Sequence, residues 1–77
     1  MTLLRLSQMA VGQSGIVNDV SQDDALSQRL LEMGITKGTA VEVVRFAPLG
    51  DPIDIRIRGY HLSLRKKEAE NITVKIS

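Results

Sequence analysis

The chain has 77 residues, 43% of them hydrophobic and 25% charged, with a net charge of +1. That length supports one domain, which hides roughly 60% of its unfolded surface, and with one Tyr, one Phe and no Trp its core must be aliphatic. The lack of cysteine excludes disulfides, thiolate nucleophiles and thiolate metal sites.

The amino-terminal MTLLRLSQMAVGQSG lacks the continuous apolar run of a signal peptide, and no run approaches the roughly 20 residues of a membrane span. A soluble, cytoplasmic, single-domain protein over 1–77 is the expectation, with no direct membrane insertion. The first predicted element is a short strand, GIVNDV, after the turn-prone VGQSG. SQDDALSQRLLEMG predicts the one convincing helix, over about 21–33. Ser21 or Asp23 can cap it, and Asp23 and Asp24 sit in the first turn, where the helix dipole favours carboxylates. Leu26, Leu30 and Met33 recur at i, i+4 and i+7 as a buried stripe that Leu31 widens. Gly34 offers a left-handed residue to end the helix, and Ile35 the apolar contact that follows it.

Beyond a turn at Lys37 and Gly38 the period changes from helical to alternating. TAVEVVRF is strand-like, but its apolar residues break alternation, which predicts a bulge or a strand covered on both sides. APLGDP, which holds both prolines, reads as a shaped loop: Pro48 and Pro52 restrict φ while Gly50 permits the reversal. In PIDIRIR the isoleucines point one way and Asp54, Arg56 and Arg58 the other. The apolar parity then flips to Tyr60, Leu62 and Leu64, so Arg58-Gly59 must be a tight turn. RKKEAEN reads as a short helical turn near 66–70, and ITVKI as a closing strand. About five short strands and one early helix describe a small, mainly β barrel whose closure would remove exposed edges.

The chemistry this sequence can support is narrow. It carries no phosphate loop, no GxGxxG and no Ser–His–Asp set, and His61, the single histidine, falls on the outward parity of its strand. Catalysis, a resident cofactor and a metal site are therefore not expected. Single-strand nucleic-acid binders combine a basic groove with aromatic platforms, and proline-rich peptide grooves are lined by aromatics; two aromatic residues build neither. Charge is unevenly spread all the same. Arg45, Arg56, Arg58, Arg65, Lys66 and Lys67 face only Asp51 and Asp54 within residues 45–67, whereas 19–32 is acidic. Such asymmetry suits an oriented partner surface.

The run RLLEMGITKGTAVEVVRFAPLGDPIDIRIRGYHLSLRKKEAENITV resembles the FeoA family, small cytoplasmic proteins of bacterial ferrous-iron uptake. The helix ending LLEMG, the lead-in KGT, the loop APLGDP and the closing LSLRKKEAENI follow the family pattern in order and spacing, over about Leu6 to Ile76. The resemblance implies an SH3-like β-barrel with an α-helix inserted after its first strand. It also implies a partner, the membrane ferrous-iron transporter FeoB with its cytoplasmic G-protein (GTPase) region, on which such proteins act as non-enzymatic regulators. Because the same barrel resembles the C-terminal domain of metal-dependent repressors, the alternative is a transition-metal-responsive or nucleic-acid-binding SH3-like module.

Three surfaces are candidates for meeting a partner. One is the outer face of the inserted helix with its terminal turn, namely Arg29, Leu31, Glu32 and Gly34. Another is the loop tip, Leu49, Gly50 and Asp51. The third is the outward row Arg56 and Arg58, joined by Arg65. An apolar Leu49 at a loop tip also predicts weak self-association.

Overall fold

The computed structural model describes residues 2–20 and 24–77. Its centre is a curved antiparallel sheet of six strands: β1 (Leu3–Arg5), β2 (Ser14–Val20), β3 (Ala40–Phe46), β4 (Ile53–Ile57), β5 (Tyr60–Leu64) and β6 (Ile72–Ile76), in spatial order β1-β6-β2-β3-β4-β5. The mainly β barrel with one inserted helix is therefore as expected, and to the five expected strands the structure adds the short β1.

β2 joins the two halves. Its first three residues pair with Ala40–Glu42 of β3, while Gly15 to Val20 pair with β6. At Gly15 the β6 backbone leaves no room for a side chain on β2. A Cβ there would strike the Lys75 carbonyl oxygen and lie 2.8 Å from Val74 Cγ1, so no larger side chain fits.

The alternation in PIDIRIR appears as Ile53, Ile55 and Ile57 buried under the sheet. They meet Val41 and Val43 from β3, Leu64 from β5, and Ile72 and Val74 from β6 in one aliphatic core. The broken alternation of β3 is a bulge: its register against β4 shifts between Val43 and Arg45. Ile57 pairs with Tyr60, leaving the two-residue turn Arg58-Gly59. Arg58 has φ +47° and Gly59 φ +83°, the positive pair that matches a hairpin's twist. Arg58 is thus a turn residue and does not continue the outward row begun by Arg56.

Helix α1 spans Asp24–Glu32. The capping role expected of Ser21 or Asp23, and the packing expected of the Leu26 side chain, lie outside the described residues. Leu30 is fully buried and Met33 half-buried. Gly34, at φ +89°, ends the helix. Its N–H donates to the Leu31 carbonyl and the Ile35 N–H to the Leu30 carbonyl, both at 3.0 Å. That two-bond pattern, with buried Ile35 near Leu30, is the Schellman termination. Tyr60 Oη donates to the Met33 carbonyl at 2.8 Å, fastening the helix end to β5.

β1 and β5 end the sheet and share no ladder among the described residues, so closure by hydrogen bonding, expected to remove all edges, is incomplete. The ends are bridged by side chains. A 3₁₀ turn over Leu6–Gln8 packs on helix α2 (Lys66–Ala69), with Leu6 and Ala69 fully buried.

Candidate partner-binding site

Of the proposed surface residues, Arg29, Asp51 and Arg65 come together, from three separate parts of the chain. They line one open cleft of about 540 Å³ with Lys67 and Glu68. Each is held there by local chemistry. Arg29 lies in the last turn of α1, and its Nε forms an ion pair with Glu68 Oε2. Glu68 is only 6% exposed, and its other oxygen accepts the Arg65 N–H at 2.8 Å. A carboxylate three residues into a helix reaching back to the first free N–H is one half of a capping box. One buried acid therefore starts α2 and ties it to α1.

The APLGDP loop forms the third wall. The Gly50 N–H donates to the Ala47 carbonyl at 2.7 Å, and the Ala47 N–H to the Pro52 carbonyl at 3.0 Å. Asp51 Oδ1 accepts the Lys66 N–H at 3.0 Å, so this loop caps α2 from outside. The result is a fixed platform that holds Leu49 95% exposed. Arg65, Lys66 and Lys67 are exposed and join no ion pair among the described residues. Leu49 is thus an exposed apolar residue on the loop whose Asp51 lines the cleft.

The other candidates lie elsewhere. Leu31 and Glu32 are exposed on α1. Arg56 forms an ion pair with Glu42 on the neighbouring strand, and with Arg58 it lines a separate cleft of about 280 Å³ near Ile16 and Ser77. Arg65 therefore does not join Arg56 and Arg58. His61 shares a third cleft with Arg45, Asp54 and Ser63. There Ser63 Oγ donates to Asp54 Oδ1 at 2.6 Å and Arg45 Nε to Asp54 Oδ2 at 2.9 Å. These two bonds, the serine's first, hold the Asp54 carboxyl below the usual carboxylate range. Among the described residues no three His, Asp or Glu side chains gather as metal ligands, and no helix is long and apolar enough to cross a membrane.

Sequence reasoning counted Lys67 only within the basic segment 45–67 and passed over Glu68. The signal for Glu68 was its spacing, three residues after Arg65, but an arginine stands where a capping box has Ser or Thr.

Residues 4–76 match the FeoA domain family model. The chain belongs to the FeoA family. It is 37% identical over 73 residues to a Porphyromonas gingivalis Fe(2+) transport protein A/Fe(2+) transporter FeoB fusion protein, a match covering 95% of this chain and 9% of that relative. Among solved structures, it resembles a FeoA-like protein from Clostridium acetobutylicum at 36% identity and a TM-score of 0.91, covering 99% of this chain and 90% of that one. It also resembles the zinc complex of Stenotrophomonas maltophilia FeoA, a prokaryotic SH3 domain protein, at 30% identity and a TM-score of 0.80, covering 94% and 89%. The barrel of this FeoA domain is accordingly SH3-like, and α1 is its insertion.

Proposed function

We propose that this FeoA domain is a non-enzymatic cytoplasmic accessory of ferrous-iron uptake that binds the G-protein region of a FeoB-type transporter. The observation that carries the reading is the fusion relative, in which a matching segment shares one chain with a FeoB transporter. Covalent joining in one protein is what a functional contact between separate chains in another would favour. The cleft between α1, the APLGDP loop and α2 is the face assigned to that contact, with Leu49 as anchor and Arg65 and Lys67 as rim. The exposed end of α1, with Leu31, Glu32 and the Gly34 turn, extends the same reading along the insertion. Arg56, engaged with Glu42, and Arg58 form a separate basic surface.

Capture of the cytoplasmic part of the cognate FeoB by the immobilised domain tests both levels. Leu49→Asp should weaken capture about tenfold or more, the scale of a central anchor. Its urea midpoint should be unchanged, because an exposed loop leucine contributes little to the core. Wild-type affinity retained by Leu49→Asp would move the contact to another face. No capture by the wild-type domain would overturn the FeoB reading itself.

A further inference from the structure

β5 pairs with β4 on one side and, among the described residues, with no strand on the other. The turn determines which of its backbone groups are left over. In a two-residue hairpin the flanking pair, here Ile57 and Tyr60, exchanges both hydrogen bonds. Tyr60, Leu62 and Leu64 therefore turn their N–H and C=O toward β4, while His61 and Ser63 turn theirs away from it. Both of these residues are exposed. Natural sheets blunt such edges with lysine, proline, a bulge or great shortness. YHLSL has no formal charge with His61 neutral, no proline, and a regular register along all five residues. The opposite edge, β1, is three residues long and ends in Arg5.

We propose that β5 is a docking edge for β5 of a second copy of this chain, paired antiparallel about Leu62. In that alignment His61 of each copy lies opposite Ser63 of the other, so both outward-facing residues of each strand meet outward-facing partners and four backbone hydrogen bonds form. Sliding by two residues in either direction leaves one of them unmatched. No like charges oppose each other, and the strand is its own complement, as a two-fold interface requires. Tyr60, 45% exposed, comes opposite Leu64 of the other copy, and Ser63 Oγ keeps its bond to Asp54 on the sheet's outer face. A five-residue overlap falls short of a standard-size interface of about 1,600 Å², so the dimer forms reversibly. This surface is independent of the FeoB reading.

Amide hydrogen exchange followed by NMR at low and high protein concentration, alongside sedimentation, provides the test. In dilute solution the His61 and Ser63 amides should exchange rapidly while Tyr60, Leu62 and Leu64 stay protected. Once nine in ten chains are dimeric, His61 and Ser63 should slow about tenfold, and the mass should level off at twice the monomer. Ser63→Pro removes one outward N–H at an edge position that tolerates proline; it should stay monomeric with Leu62 and Leu64 still protected. Should that variant not fold, the double change His61→Lys with Ser63→Lys sets like charges opposite each other and should abolish dimerisation equally. Protection at His61 and Ser63 that ignores concentration, growth beyond a dimer, or a folded variant that still dimerises would overturn the proposal.

Discussion

Asp54 accepts hydrogen bonds from Ser63 on β5 and Arg45 on β3, and its carboxyl titrates below the usual range as a result. A carboxyl whose folded pKa is depressed contributes stability above its unfolded value, near 3.9. That contribution is lost as pH falls through the folded value. Ser63→Ala removes the larger cause, so the Asp54 pKa should rise toward its ordinary value, read by NMR titration of the side-chain carboxyl. The stability gap between variant and wild type should narrow in acid, where Asp54 is protonated in both. Half of this site was legible. A tight turn at Arg58-Gly59 sets Asp54 opposite Ser63 by counting outward. Arg45 was not, because an unbroken ladder from the Val43–Ile55 pair would have placed Val44 opposite Asp54. The bulge moves Arg45 there, and parity can announce a bulge without saying which residue it displaces.

Helix α2 has four residues, too few to persist on propensity alone, and stands on two acids supplied from different places. Glu68 takes its first free N–H and pairs with Arg29, while Asp51 caps it from the loop. Glu68→Ala should cost about 1 kcal/mol in urea unfolding, since it removes the acceptor of the Arg65 N–H, while the largely exposed Arg29 guanidinium turns to water. Glu68→Gln, which can still accept the Arg65 N–H, should recover part of the loss. The Asp51 cap and the Arg29 ion pair join residues distant in sequence, so RKKEAEN itself announces only the bond from the Arg65 N–H to Glu68. The longer helix was easier to read because its ending is local: Gly34 and Ile35 carry the whole termination motif. Its start was not settled in the same way, since the capping candidates fall on residues 21–23, outside those described.

Across the molecule, alternation and turn residues were enough to recognise a barrel with an inserted helix, but not the order of its strands. β1 escaped notice because three residues cannot display a period, and its pairing with β6 joins Leu3 to Lys75. Gly15, where β2 passes β6, has no room for a Cβ. Gly15→Ala should push Val74 and the Lys75 backbone aside and break the central ladder. The expected result is loss of a cooperative unfolding transition, checked by thermal melting and by dispersion of the amide NMR spectrum. A sharp melt near the wild-type midpoint would show that the strands can separate to admit a methyl group.

The same pairing governs the order of events while the chain is being synthesised. β2 leaves the ribosome early, yet its longer ladder is with β6, where Gly15 meets Ile76. β1 has no ladder partner among the described strands except β6. The central hairpins can form as they emerge, but the barrel cannot be completed until Ile76 is free of the exit tunnel. Until then Val17 and the isoleucines of β4 lack the strand that covers them, so a nascent chain stalled just short of β6 is exposed to aggregation and proteolysis.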